Sequence, residues 1–348
     1  LGHALGQAVK KGCLAAHGAY NKPHTKPPLG SFFMKSRTLS ALAAASLAAL
    51  TSLQADWPQW RGPGGQGHAG DARLPAEWSE VKNVTWRTEL PGRGWSSPVS
   101  IGNQVWVTAA HETLASEEEK KERLKDNTGS QPLVVLSNVR IHAICIDKSS
   151  GKIVRDIPLL RKRNPQWVHK TNSYASPTPI VEGDRVYLTW GSPGTACLDA
   201  VSRKVLWNRD DFVCDHFRGS GSSPIIHGNL LILTFDGADR QYVAALDKRT
   251  GKTVWRTDRS VDFQDLGADG KPFRDGDMRK GYSTPLVIEH DGVTQLISIG
   301  AMACYAYEPE TGKELWRITE RAQHSASTRP VYGLSLIHIS EPTSLGML

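Results

Sequence analysis

Ala245-Leu246-Asp247-Lys248-Arg249-Thr250-Gly251-Lys252-Thr253-Val254-Trp255 is the stretch whose reading decides how this chain folds. Its apolar opening suits a β-strand. The Asp then offers an acceptor to turn N–H groups, Gly takes a positive φ, and Thr253-Val254-Trp255 returns as a second strand. The string recurs at Ala306 to Trp316, with Glu308 in the Asp place. It recurs at Cys197 to Trp207 with Arg203 in the Gly place, and at Cys145 to Arg155 with no Trp.

Upstream of each string lies a Ser/Thr-Pro step: Ser97-Pro98-Val99, Ser176-Pro177-Thr178, Ser223-Pro224-Ile225 and Thr284-Pro285-Leu286. A turn-former and an apolar run follow each step, as in Gly102-Asn103 before Gln104 to Thr108, which reads as a hairpin. About thirty residues separate Pro from Trp, enough for four strands and hence one blade of a β-propeller. Eleven Trp against seven Phe fit a Trp that recurs once per unit. The expected fold class is all-β: a β-propeller of four-stranded antiparallel blades, about four complete and others partial, forming an incomplete ring. Trp207, Trp255 and Trp316 are expected to pack against neighbouring sheets. Val84 to Thr88 reads as an isolated outer strand, and Ser327 to Val331 as another blade opening. Residues 112–140 interrupt the first blade with a charged stretch, Ser116 to Lys125, that reads as a helix.

The pattern A-x-D-x-x-T-G-K-x-x-W resembles the tryptophan-docking repeat of PQQ-binding-like (quinoprotein-type) β-propellers, over about residues 57–333. Asp56-Trp57-Pro58-Gln59-Trp60-Arg61-Gly62-Pro63 resembles the start of exported bacterial members. The resemblance implies the fold more strongly than any activity, because propellers host many functions. WD-type propellers carry Gly-His and Trp-Asp pairs at blade ends, and at the blade ends of this sequence they are absent. Enzymes of the family hold pyrroloquinoline quinone with Ca²⁺ through acidic and amide oxygens, a catalytic Asp and often a vicinal disulfide. This sequence has no adjacent cysteines, and no catalytic residue carries over. Cys145, Cys197 and Cys304 recur near one point of the repeat and read as small buried strand positions.

The flanks have their own reading. Met34-Lys35-Ser36-Arg37, the uncharged run Leu39 to Leu50, and Leu53-Gln54-Ala55 have the layout of a secretory signal over 34–55, too short for a membrane span. Residues 1–33 then read as upstream read-through, 56–333 as the partial propeller, and 334–348 as a foreign tail that fits no repeat. Export to the periplasm or the cell exterior is expected. The formal charge is +7, but residues 1–55 hold six cations and no acid. The remainder is near neutral, which argues against a nucleic-acid partner.

Polar groups precede the inner strands, which in a propeller gather at an axial mouth. They are Arg93 and Trp95; His169, Lys170, Asn172 and Tyr174; Asp215, His216 and Arg218; Arg279, Lys280 and Tyr282; and His324. They read either as a site for a small anion or quinone oxygen, or as strand-end caps that pair with one another. The three His lack metal-ligand spacing, so no metal is expected there. The first functional reading is an exported binding or scaffold propeller for a small anionic ligand or a protein partner, with no catalytic site and no required cofactor. The alternatives are a fragment of a PQQ- and Ca²⁺-dependent dehydrogenase, and an outer-membrane protein assembly scaffold.

Overall fold

A computed structural model describes residues 56–72, 74–127 and 131–333, and the backbone of 336–338. They belong to one compact unit, Gln54–Leu348. The proposed read-through (1–33), the export signal (34–55) and all but the 336–338 backbone of the 334–348 tail lie outside the described residues.

The all-β expectation holds. The first sheet contains β1 (Val99–Ile101), β2 (Gln104–Leu114), β4 (Leu136–Asp147) and β5 (Ile153–Arg163), while β3 (Leu133–Val134) and β6 (Val168–His169) pair apart from it. The second runs β7 (Ile180–Glu182), β8 (Arg185–Thr189), β9 (Thr195–Asp199) and β10 (Val205–Arg209). The third runs β11 (Ile225–His227), β12 (Leu230–Asp236), β13 (Gln241–Asp247) and β14 (Thr253–Asp258). The fourth runs β15 (Leu286–His290), β16 (Val293–Ile299), β17 (Ala303–Tyr307) and β18 (Glu314–Thr319). Each is an antiparallel meander, and we call them blades 1 to 4. Beyond them β19 (Val331–Gly333) pairs antiparallel with β20 (Leu336–His338), so part of the segment assigned to a tail forms a hairpin with the preceding blade opening. In the insert, α1 (Glu117–Arg123) is closed by a capping box between Ser116 and Glu119. Among the described residues no helix is long and apolar enough to cross a membrane.

The repeat turn forms as its residues dictate. Asp247 Oδ1 accepts from the N–H groups of Arg249 and Thr250 and from the Thr250 hydroxyl, and Gly251 sits at φ 71. Hydrogen bonds hold Asp147 and Asp199 in the same role, and they keep both carboxyls below the usual range, Asp147 near 2. The following Trp docks onto the next blade. Trp255 Nε1 donates to Pro309 O at 2.9 Å, and a methyl on Gly312 would fall 2.4 Å from its ring. Trp207 Nε1 donates to Lys248 O at 3.1 Å over Gly251, and Trp86 Nε1 to Lys148 O at 2.8 Å over Gly151. Thr257, Arg209 and Thr88, two residues beyond each Trp, donate to the carbonyls of Gly312, Gly251 and Gly151. Only Gly leaves room for a ring stacked flat on the turn.

Three expectations need correction. Trp316 has no described blade beyond it, and its Nε1 donates instead to Gln295 Oε1 of its own blade at 2.8 Å. Residues 84–88 form no strand; the segment is held by the Trp86 indole and the Thr88 hydroxyl rather than by a ladder. The opening step of blade 2 is Thr178-Pro179, two residues past the one read from sequence. A hydroxyl ladder shows this register: Ser97 N donates to Thr178 Oγ1, Thr178 N to Ser223 Oγ, and Ser223 N to Thr284 Oγ1, at 3.0, 2.9 and 2.9 Å.

Separate apolar clusters join blades 1 and 2 (Trp106, Ile141, Leu188, Trp190), blades 2 and 3 (Tyr187, Phe235, Tyr242), and blades 3 and 4 (Val243, Trp255, Tyr305, Tyr307). The cysteines Cys145, Cys197 and Cys304 are buried free thiols within these strands, as expected. The segment 56–66 lies across both ends of the series. Trp57 pairs with Ser100 of β1, while Trp60 O accepts from Arg329, whose Nε also donates to Pro285 O.

Candidate functional site

The polar loops converge on Phe217 and Arg218, between blades 2 and 3. Phe217 stands at φ 62, held by Asp215 Oδ1, which accepts its N–H at 2.8 Å. Arg218 O accepts from His169 N and from Asn172 Nδ2, tying the loop before blade 2 to the loop before blade 3. Its guanidinium lies 4.6 Å from the centre of the Phe217 ring, and so does Lys280 Nζ, brought by the loop before blade 4. Arg218 Nε is buried without a hydrogen-bond partner, and Arg218 has no ion-pair partner among the described residues. Burial lowers the Arg218 pKa. Burial, with Arg218 adding repulsion, pulls Lys280 down to about 8, although its ammonium contacts the Asp277 carboxylate.

The surrounding groups are fixed. His216 is buried, its Nε2 accepts from Ser192 N at 2.9 Å, and burial lowers its pKa to about 4, so the ring is neutral at pH 7. Tyr282 donates its hydroxyl to His216 O at 3.3 Å, and burial pushes its pKa up. Burial also raises Asp215, with Asp239 adding to the effect; Asp215 N donates to Asp239 Oδ1. Thr189, Ser220, Ser223 and Thr234 line a small polar cavity next to His216. To one side, the Arg93 guanidinium donates to Lys170 O, approaches Glu112 at 3.6 Å and lies 6.0 Å from the exposed Trp95 ring.

Most of the sequence-derived candidates are therefore connected: His169, Asn172, Asp215, His216, Arg218, Lys280 and Tyr282 around Phe217, with Arg93, Trp95 and Lys170 alongside. Three make no hydrogen bond, ion pair or ring contact with this group among the described residues. Arg279 is drawn away by Asp265, which it grips with two nitrogens over the Phe263 ring. Tyr174 is buried, its hydroxyl donating to Gln166 O. The His324 ring makes no hydrogen bond or ion pair among the described residues, although the next residue, Ser325, donates its N–H to Lys280 O. Sequence reading missed Phe217 and counted Asp215 as the one acid, whereas Glu112, Asp239 and Asp277 stand here too. It also missed His111, His142 and Asp156, which meet on blade 1.

The Ca²⁺–quinone pair that the resemblance implies calls for several carboxylate and amide oxygens. Here Asp215 Oδ1 is taken by Phe217 N–H, Asp239 Oδ1 by Asp215 N–H and Asp277 by Lys280, beside the uncompensated charge of Arg218. That donor set does not suit a hard dication.

Comparison with known proteins places the chain. The family model described as "Outer membrane protein assembly factor BamB" matches residues 76–257 and 239–333. The dehydrogenase subunit of the quinone alcohol dehydrogenase of Acetobacter aceti is 29% identical over 179 residues, which is 49% of this chain and 22% of that protein. The corresponding subunit from Gluconobacter oxydans (strain 621H) is 28% identical over 154 residues, 42% of this chain and 19% of that protein. The match thus spans about a fifth of these curated relatives. Among solved structures, quinohemoprotein alcohol dehydrogenase from Comamonas testosteroni is similar at TM-score 0.47 and 14% identity, over 79% of this chain and 43% of that one. BamB from Moraxella catarrhalis is similar at 0.34 and 12%, over 72% and 58%. With its four blades, its docking turns and a family match over most of its length, the chain belongs to the BamB-like family of PQQ-type β-propeller repeat proteins.

Proposed function

We propose that this chain is an exported binding propeller, without catalysis of its own, whose mouth takes an anionic group. The observation that carries the reading is the pairing of Arg218, buried at Nε and lacking an ion-pair partner, with Lys280 at the Phe217 ring. Two cations that repel each other in a half-buried site are stabilised together by a shared carboxylate or phosphate. The Phe217 ring, Tyr282 and the exposed Trp95 offer an apolar and hydrogen-bonding surround suited to a small organic acid or to an acidic side chain of a protein partner. The family description favours the protein partner, and with it a scaffold role in assembly.

The test is titration of the full chain with citrate and with inorganic phosphate, followed by tryptophan fluorescence or calorimetry. A charge-assisted contact is worth about 1.5–3 kcal/mol, so Arg218→Gln should weaken the anion by about ten-fold or more. Affinity unchanged from the unmodified chain in both Arg218→Gln and Lys280→Gln, or no anion binding at all, would overturn the reading. Export is tested separately by N-terminal sequencing of secreted protein, which should begin at Asp56.

A further inference from the structure

We propose that His111, His142 and Asp156 form a binding site for a divalent transition metal on blade 1, remote in chemistry from the cationic mouth. The three sit on three consecutive strands of the blade, β2, β4 and β5. Register puts Ala109 opposite His142 and His111 opposite Arg140, so the two His are diagonal neighbours on one face. Asp156 lies opposite Ile144, one step further along the same diagonal and face. One nitrogen of each imidazole and one Asp156 oxygen all lie within 4.8 Å of one another.

Two further observations point to a ligand. The Nε2 atoms of both His111 and His142 are shielded from solvent and lack hydrogen-bond partners. A buried polar atom without a partner is costly, and two in one cluster share one remedy. The His142 Nδ1–Asp156 Oδ1 contact, at 2.6 Å, fixes the tautomer in which Nδ1–H donates to the carboxylate and Nε2 presents its lone pair. A carboxylate behind an imidazole is the arrangement that orients metal-bound histidines. The ring centroids of His111 and His142 are 4.2 Å apart, so both rings reach one small volume.

The donor chemistry selects the ion. Two imidazoles, one of them oriented from behind by the Asp156 carboxylate, suit Zn²⁺, Cu²⁺, Ni²⁺ or Co²⁺ and are poor for Ca²⁺ or Mg²⁺. Two imidazole donors fill two of the four positions of a tetrahedral ion, which leaves the others to water or an exogenous ligand. The strands below are anchored by Val107, Ala109 and Ile144 in the apolar cluster of that face, which holds the donors on a rigid sheet rather than on a loop.

The experiment is calorimetric titration of the full chain with Zn²⁺, with Mg²⁺ as the reference, and visible spectroscopy after Co²⁺ addition. We expect one Zn²⁺ per chain, no Mg²⁺ binding, and a Co²⁺ spectrum with d–d bands but no thiolate charge-transfer band. His142→Ala and His111→Ala should each weaken Zn²⁺ by about 100-fold or more, and Asp156→Asn by about 10–100-fold. Because alanine variants can disturb the sheet, His142→Gln with an unchanged far-UV circular dichroism spectrum serves as the conservative control and should also lose the Co²⁺ bands. Absence of stoichiometric Zn²⁺ binding, or binding that persists unchanged in the His111 and His142 variants, overturns the proposal.

Discussion

The junction between blades 3 and 4 and the junction between blades 1 and 2 solve one problem by different chemistry. At the former, Trp255 lies flat on Gly312, its indole bonds Pro309 O, and Thr257 bonds Gly312 O. A buried guanidinium adds to this. Arg259 chelates Asp236 of blade 3 and donates to Ser298 and Tyr307 of blade 4, with both charged side chains at 1% exposure or less. Burial opposes the Arg259 charge, and Asp236 outweighs it, so its pKa stands above the ordinary value. At the junction of blades 1 and 2 every part of the Trp lock is missing. Arg155 stands for Trp, Arg203 for Gly at φ 67, and Ile157 for the residue that reaches the carbonyl. What holds there is the apolar cluster around Trp106, Ile141 and Leu188, with Ile157 packed against it. The two sequence departures, in different repeats, are thus two halves of one absent contact.

The contrast can be broken most easily at its polar centre. Asp236→Asn leaves Arg259 buried and uncompensated and should cost about 3–5 kcal/mol in urea unfolding. Trp255→Ala should cost a similar amount through lost burial. Arg155→Ala, at the unlocked junction, should cost less than about 1 kcal/mol. Equal losses at the two junctions would erase the distinction.

The junction of blades 2 and 3 sharpens it through pH. His216 is buried and neutral, with a pKa lowered to about 4 from 6.5. Between those values the unfolded chain takes up a proton that the folded chain refuses. Stability is therefore complete above pH 6.5 and falls as pH drops toward 4, by up to about 3 kcal/mol. His216→Gln should flatten that limb of the stability–pH curve relative to the unmodified chain; parallel curves would show that His216 is not held neutral.

The smallest effect concerns Arg203. A left-handed backbone costs a non-glycine residue about 1–2 kcal/mol, part of which Gly returns as unfolded-state entropy. Arg203→Gly should stabilise the chain by roughly 0.5–1 kcal/mol, and a loss of stability would mean that the arginine side chain holds that turn.

The blades were legible in the sequence because the turn is local: Asp, Gly and Trp lie within eleven residues, and each position has a stereochemical reason. The register of blade 2 was misread because Ser176-Pro177-Thr178-Pro179 offers two candidate steps, and the hydroxyl ladder that selects Thr178 comes from other blades. The mouth was legible as a set of loops but not as a set of partners. Arg279 finds Asp265 and Lys280 finds Asp277, pairs with no periodic signature. The His111, His142 and Asp156 group was invisible for a related reason, since only strand register across β2, β4 and β5 brings it together.

Whether a flat Trp and a turn Gly act as one unit joining adjacent blades can be read from a double-mutant cycle on Trp255→Ala and Gly312→Ala, followed by urea unfolding. A methyl at position 312 meets the indole at 2.4 Å. In the presence of Trp255 it should therefore cost well over its backbone strain, and in the Trp255→Ala background it should cost only that strain and the contact with Thr257 Oγ1 at 2.6 Å. The expected coupling energy is about 1–3 kcal/mol; additive losses, within about 0.5 kcal/mol, would mean that the two residues act independently.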